Sequence, residues 1–239
     1  MGHRRKAWSV IELLVVIAIS AILVSVTLPA IKGVRDKARQ STSRVYLRTH
    51  GQVFATYAND SAGQYPFLTG ISEEPTQYAS GGWRTDMFVF TQYATWAIAL
   101  SENYYDGQIE SDTFHPPSSE LTGPISEYWY SQSFVAQPRF WVQETRQFTP
   151  DQLGGTAVHD VVFPSAKGLL FERDQAFGYF ETGGGRINVV LVDGSVHMPQ
   201  ATEVTRAYPG GVRGYLLGPI IGLPIMHTMK GVRGRDLVP

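Results

Sequence analysis

The stretch WSVIELLVVIAISAILVSVTLPA, residues 8–30, is apolar enough to lie in a lipid bilayer, yet it carries one carboxylate, Glu12, near its start. Residues 8–31 number 24, and a helix over them, at about 1.5 Å of rise per residue, is roughly 36 Å long. That crosses a hydrocarbon core of about 30 Å with some tilt. Residues 1–7, MGHRRKA, are short and basic and run straight into it. A secretory signal would end at a small-x-small cleavage site after its apolar region. Here the run passes through Leu28, Pro29 and Ala30 into Ile31-Lys32-Gly33 with no clean A-x-A site, so it reads as a retained membrane helix. His3, Arg4, Arg5 and Lys6 favour a cytoplasmic N-terminus, while the six bases of residues 32–48 act against that assignment.

Glu12 needs its own explanation. A carboxylate among lipid tails costs at least about 2.5 kcal/mol, less near the interface, and is tolerated mainly where it finds a partner. One reading places Glu12 at headgroup level, one turn into the helix. The other requires a cation at the same depth: a cut after Ala7 would create one, the new α-amino group of Trp8, four residues away.

At these residues the chain resembles the type IV prepilin and pseudopilin superfamily. The pattern is a short basic leader, an aromatic residue, a small polar residue, two apolar residues and Glu, followed by LLVVIAI. The chain has Lys6-Ala7, Trp8, Ser9, Val10, Ile11, Glu12, then LLVVIAI over residues 13–19, with the family's mid-helix proline at Pro29. It departs in having Ala7 where Gly is usual and Trp8 where Phe is usual. The resemblance implies cleavage between Ala7 and Trp8 by a prepilin peptidase, N-methylation of Trp8, and extraction of the helix into a filament. There Glu12 would pair with the N-terminal amine of a neighbouring subunit. A head-to-tail contact of that kind fixes axial register and gives an open helical polymer unless the rotation closes into a ring. Pro29 predicts a kink or ordinary helix curvature.

Composition agrees with one domain plus an anchor: 239 residues, 43% of them hydrophobic, suffice for a core. The net charge of -1 hides an asymmetry. Residues 1–50 hold nine of the twenty Lys/Arg and two of the twenty-one acids, leaving eleven bases against nineteen acids, or -8, in the remainder. No basic stripe for nucleic acid follows from that. The absence of cysteine excludes disulfides and thiolate metal sites.

Residues 33–58 lack proline and predict a soluble continuation of the helix. Val34, Ala38, Val45, Tyr46, Val53 and Tyr57 fall within an arc of about 140° that should pack on a sheet. Lys32, Arg35, Lys37, Arg39, Arg44 and Arg48 then mostly face solvent, with lipid headgroups as the alternative. Residues 59–63, NDSAG, end the helix. Residues 61–86 read as a loop, residues 94–100 as a short helix, and residues 101–127 as a polar stretch broken by Pro116-Pro117. Residues 128–135, 140–143 and 168–172 read as strands. INVVLVDGSVHM, residues 187–198, predicts a hairpin turning at Asp193-Gly194, a dipeptide suited to positive φ.

That hairpin resembles the processing-associated segment of planctomycete-type pseudopilin-like proteins, a His, nine residues and Asp-Gly, although Gly183 stands at the His position. Only a structural turn is carried over. Among enzyme readings, His159-Asp160 lacks a G-x-S-x-G elbow and the orientation a triad needs. Gly183-Gly184-Gly185 precedes a strand instead of a helix and fails the dinucleotide fingerprint. No H-E-x-x-H spacing occurs. Major pseudopilins often bind calcium in a C-terminal loop, which by resemblance makes Glu172, Asp174 and Glu181 oxygen-ligand candidates, but no EF-hand loop is present and no cofactor is expected. Residues 207–239 contain Gly-Val-Arg-Gly at 211–214 and again at 231–234, and an apolar run, 215–226, too short and broken to cross a membrane. That tail would wrap across the head, cover a sheet edge, or contact neighbouring subunits.

The expectation is an α+β, pilin-like subunit: leader 1–7, membrane and assembly helix 8–31, soluble amphipathic helix 32–60, head 61–206, and Gly/Pro-rich tail 207–239. It would sit in a bacterial inner membrane as a single-pass protein with a periplasmic head. The expected partners are prepilin peptidase, other pilin or pseudopilin subunits, an inner-membrane assembly platform and membrane lipid, but not nucleic acid. Its work would be structural, in a type II secretion pseudopilus or a type IV pilus-like fibre. The alternative is a tethered periplasmic binding or enzymatic domain that does not polymerise.

Overall fold

The computed structural model describes residues 10–68, 76–80, 83–108, 110–121, 123, 125–173, 186–208, 213–214, 218–219 and 223–238. The chain divides into two units, the first ending at Ser41 and the second beginning at Thr42. One helix, α1 (Val10–Asp60), belongs in part to each, and Pro29 lies inside it without interrupting it. In the turn before the proline, the hydroxyls of Ser25 and Thr27 donate to the carbonyls of Ile22 and Val24, at 2.8 and 3.2 Å. α1 ends where Ala62 and Gly63 take positive φ, 53° and 80°. Gly63 donates back to the Ala58 carbonyl at 2.7 Å. The turn residues read from the sequence thus act as a left-handed helix terminus.

The second unit is α+β, as expected. Its main sheet is antiparallel with strand order β3-β4-β5-β6: β3 (Tyr128–Tyr130), β4 (Gly168–Glu172), β5 (Val189–Leu191) and β6 (Val196–His197). Tyr130 pairs with Leu170 and Trp129 with Phe171, and these continue onto Val190 and Val189 of β5. Side chains alternate across the sheet. Tyr128, Tyr130, Leu170 and Val190 accordingly join Leu47 and Phe54 of α1 and Trp96 of α2 (Gln92–Tyr104) in one core cluster. Trp129, Phe171, Val189 and Leu191 join Tyr93, Ile225 and Met226 in a second. With both faces covered, β3, β4 and β5 are buried at every position.

Four expectations change. α1 buries Ser43, Leu47, His50, Gly51, Phe54 and Ala58. This stripe lies roughly 140° round the helix from the arc read from hydropathy. Val34 and Val45 are exposed, whereas Tyr46, Val53 and Tyr57 only border the core. The cause is that small and hydrogen-bonded residues face the sheet, where large aromatic partners fill the space. Within residues 61–86, read as a loop, β1 (Thr76–Ser80) and β2 (Trp83–Met87) form a hairpin pair. The strand expected over 128–135 stops at Tyr130, because Gln132–Phe134 close a 3-10 turn, and Phe140 belongs to another such turn, Pro138–Trp141. Two further short strands pair in the C-terminal region, β7 (Arg213–Gly214) with β8 (Gly218–Pro219). Residues 223–238 return into the head: Ile225, Met226, His227, Val232 and Asp236 are buried.

Gly51 marks the closest approach of α1 to the sheet, since a Cβ there would lie 2.9 Å from Val190 Cγ2. An alanine gains about 1 kcal/mol of helix propensity against this crowding. A leucine exceeds what Val190 can yield. Gly51→Leu is expected to destabilise the head by about 3 kcal/mol in urea titration; an unchanged midpoint would show that α1 does not seat here.

Candidate functional site

Ala7 and Trp8 lie outside the described residues. Glu12 stands in the first turn of α1. Around and beyond it Val10, Ile11, Leu13, Leu14, Ile17 and Ile22 are all more than half exposed. The helix is long and apolar enough to cross a membrane. A surface of that kind is stable only in lipid or against other apolar surfaces.

The polar groups of α1 that face the head are held tightly. The Ser43 hydroxyl donates to Glu172 Oε1 and shares a 2.9 Å hydrogen bond with the Tyr128 hydroxyl. Asn188 Nδ2 donates to Glu172 Oε2 at 3.0 Å, while Asn188 Oδ1 accepts from Arg44 Nε at 3.3 Å. Burial above all pushes the Tyr128 phenol far up, so it stays protonated and able to donate. Glu172 therefore has a donor on each oxygen, an arrangement suited to a buried structural carboxylate more than to a cation ligand. Among the described residues no group of three or more His, Asp or Glu could hold a metal ion. The other two calcium candidates, Asp174 and Glu181, lie outside the described residues.

His50, about two turns beyond Ser43 on α1, is fully buried. Its ring stacks on Phe114 at 5.6 Å and meets Trp96 edge-on at 5.2 Å. Nε2 donates to the Thr113 carbonyl at 2.6 Å and Nδ1 accepts from the Tyr105 hydroxyl at 2.8 Å. Both nitrogens are satisfied in the neutral ring, and burial lowers its pKa to about 4. His227 is similar: Nδ1 accepts from Leu223 N at 2.9 Å and Nε2 donates to Gln132 Oε1 at 2.8 Å. Burial, reinforced by Arg146, lowers its pKa to about 3. In the unfolded chain each ring takes a proton near 6.5. Between that pH and the folded value the unfolded state binds more protons, so stability is complete above about pH 6.5 and falls as pH drops. His50 alone is expected to withdraw about 3 kcal/mol by pH 4. Urea midpoints from pH 7 to 4 check this. A wild-type profile no steeper than that of His50→Gln would refute the contribution.

Three further buried ionisable groups have partners. Lys167 and Asp236 are fully buried and paired at 2.8 Å. Gly168 N donates to the same carboxylate at 2.9 Å, and the Thr228 hydroxyl joins both charged groups. Burial lowers the Lys167 pKa and raises that of Asp236, while each partner opposes the other's shift. Glu127, also buried, meets His115 Nδ1 at 3.1 Å, and His115 Nε2 faces the Gly123 carbonyl at 2.9 Å. Both ring nitrogens thus face oxygens, one of a side chain and one of the backbone.

The turn expected at Asp193-Gly194 forms between β5 and β6. Only Gly194 takes positive φ, 82°. Asp193 instead uses its carboxylate, accepting from Ser195 N at 2.9 Å and Ser195 Oγ at 2.6 Å. Ser195 Oγ also contacts His197 Nε2 at 3.0 Å. Asp160 caps its own turn, its Oδ2 accepting from Ala157 N at 3.0 Å, and His159 beside it is exposed. Gly183, Gly184 and Gly185 lie outside the described residues. Sequence reading passed over Ser43, His50, Lys167 and Asp236, and no local motif marks any of them.

No family model, curated protein or solved structure matches the chain.

Proposed function

We propose that the chain is a pilin-like structural subunit, cleaved between Ala7 and Trp8, methylated on Trp8, and assembled through α1 into a type II secretion pseudopilus or a type IV pilus-like fibre. The observation that carries this reading is one helix whose first part is apolar and exposed on all sides, with a carboxylate in its first turn, and whose last part packs Leu47 and Phe54 into the core of an α+β head. Burial of the apolar part is kept when lipid is exchanged for identical helices, so assembly costs little desolvation. The α-amino group freed at Trp8 and the Glu12 carboxylate of the next subunit then pair in a medium where charge is expensive to leave alone. Prepilin peptidase, other pilin or pseudopilin subunits and an inner-membrane assembly platform are the partners, and the head is periplasmic.

Mass spectrometry of the N-terminus of the membrane-extracted protein tests the reading. The expected chain starts at methylated Trp8. A chain that retains Met1 through Ala7 in its native membrane would instead identify a tethered domain.

A further inference from the structure

The apolar part of α1 ends at Ile31. The next eight residues, KGVRDKAR, carry Lys32, Arg35, Lys37 and Arg39 against one acid, Asp36. All eight continue the same helix, with Lys32, Arg35 and Lys37 exposed and Arg39 partly so. None of the four bases forms an ion pair among the described residues. A Cβ placed on Gly33, in their midst, would meet nothing within 4 Å, so the segment is uncovered.

Depth and angle both bear on what covers it. Residues 10–31 occupy about 33 Å of helix and residues 32–39 about the next 12 Å. A hydrocarbon core is about 30 Å thick, and the polar layers bring the bilayer to roughly 40–45 Å, so the bases begin where the headgroups begin. Lys32, Arg35 and Arg39 fall within about 60° of one another round the helix, and Lys37 lies nearly opposite. A protein partner docking on one side would meet only part of this set. Lipid surrounds the helix and meets all of it.

We propose that residues 32–39 form a collar for anionic phospholipid headgroups, whose phosphate oxygens accept from Lys32, Arg35, Lys37 and Arg39. The collar rests on the membrane reading of α1 and not on polymerisation, and a chain that never entered a fibre would still have it.

The test uses the full chain reconstituted in vesicles of equal parts phosphatidylglycerol and phosphatidylcholine, followed by mild detergent extraction and mass spectrometry of the lipids retained. Phosphatidylglycerol is expected to be enriched at least about fivefold, the factor that a single base near an anionic surface contributes. In K32Q/R35Q/K37Q/R39Q the enrichment falls to parity with the protein still membrane-integrated, and in wild type it falls likewise in about 0.5 M salt. The wild-type salt series stands alone if the variant inserts poorly. Equal retention of the two lipids by wild type at low salt overturns the proposal. So does displacement of phosphatidylglycerol by inorganic phosphate, which would mark a generic anion site, or crosslinking of the four bases to acids of a second copy in place of lipid. N-terminal processing is measured separately, so this proposal and the assembly reading can fail independently.

Discussion

Glu12→Ala is expected to leave the chain in the membrane and to remove it from fibres. Replacing the carboxylate relieves at least about 2.5 kcal/mol of insertion cost if Glu12 lies at the bilayer centre, and less near the interface, so anchoring does not suffer. Assembly suffers because the α-amino group of the next subunit would enter an apolar bundle without its counter-charge. Stranding one member of a buried pair costs about 3–5 kcal/mol, which over repeated contacts reduces incorporation to background. Glu12→Gln separates charge from hydrogen bonding and is expected to behave nearly as badly. The measurement is the share of protein in the sheared fibre fraction against the membrane fraction. Equal incorporation of wild type and Glu12→Ala would remove the role assigned to this residue, whatever the N-terminus proves to be.

Asp236→Ala is the second large effect, and it concerns the head alone. Lys167 has no exposed surface, and its ammonium is held by Asp236 and Thr228. Removing the carboxylate leaves a buried cation, and Gly168 N loses its acceptor as well. The expected loss is about 3–5 kcal/mol in urea denaturation, a large part of the stability of a small domain. Lys167→Met should lose a similar amount through the stranded carboxylate. The double variant Lys167→Met/Asp236→Leu should recover most of the loss, because well-packed apolar residues of similar volume replace buried ion pairs at little net cost. Strictly additive losses in the double variant would show that the pair is not coupled.

How far these features were legible depends on the range of the interactions that set them. α1 was legible because membrane length and helix continuity are local properties of residues 8–60. The hairpin at Asp193-Gly194 was legible because turn chemistry is local too, although Asp193 uses its side chain where positive φ was expected. The packing face of α1 was not, since Ser43, His50 and Gly51 are buried by what they meet: Tyr128, Phe114 and Val190. Hydropathy counts such positions as polar or neutral. The β1 and β2 pair carried a hairpin signal, Gly81-Gly82, inside a stretch whose Gly, Ser, Thr and Pro content reads as loop. Lys167 and Asp236 are 69 residues apart, and neither has a neighbour in sequence that announces the other.

That separation orders events during biogenesis. Lys167 cannot be neutralised until residue 236 has emerged, and Ile225 and Met226 must arrive to shield the second face of the sheet. The head therefore cannot close before residues 225–236 have been made. α1 precedes the head in the chain, so its apolar part can find an apolar environment while the residues behind it are still unpaired, and the head locks only when residue 236 reaches Lys167.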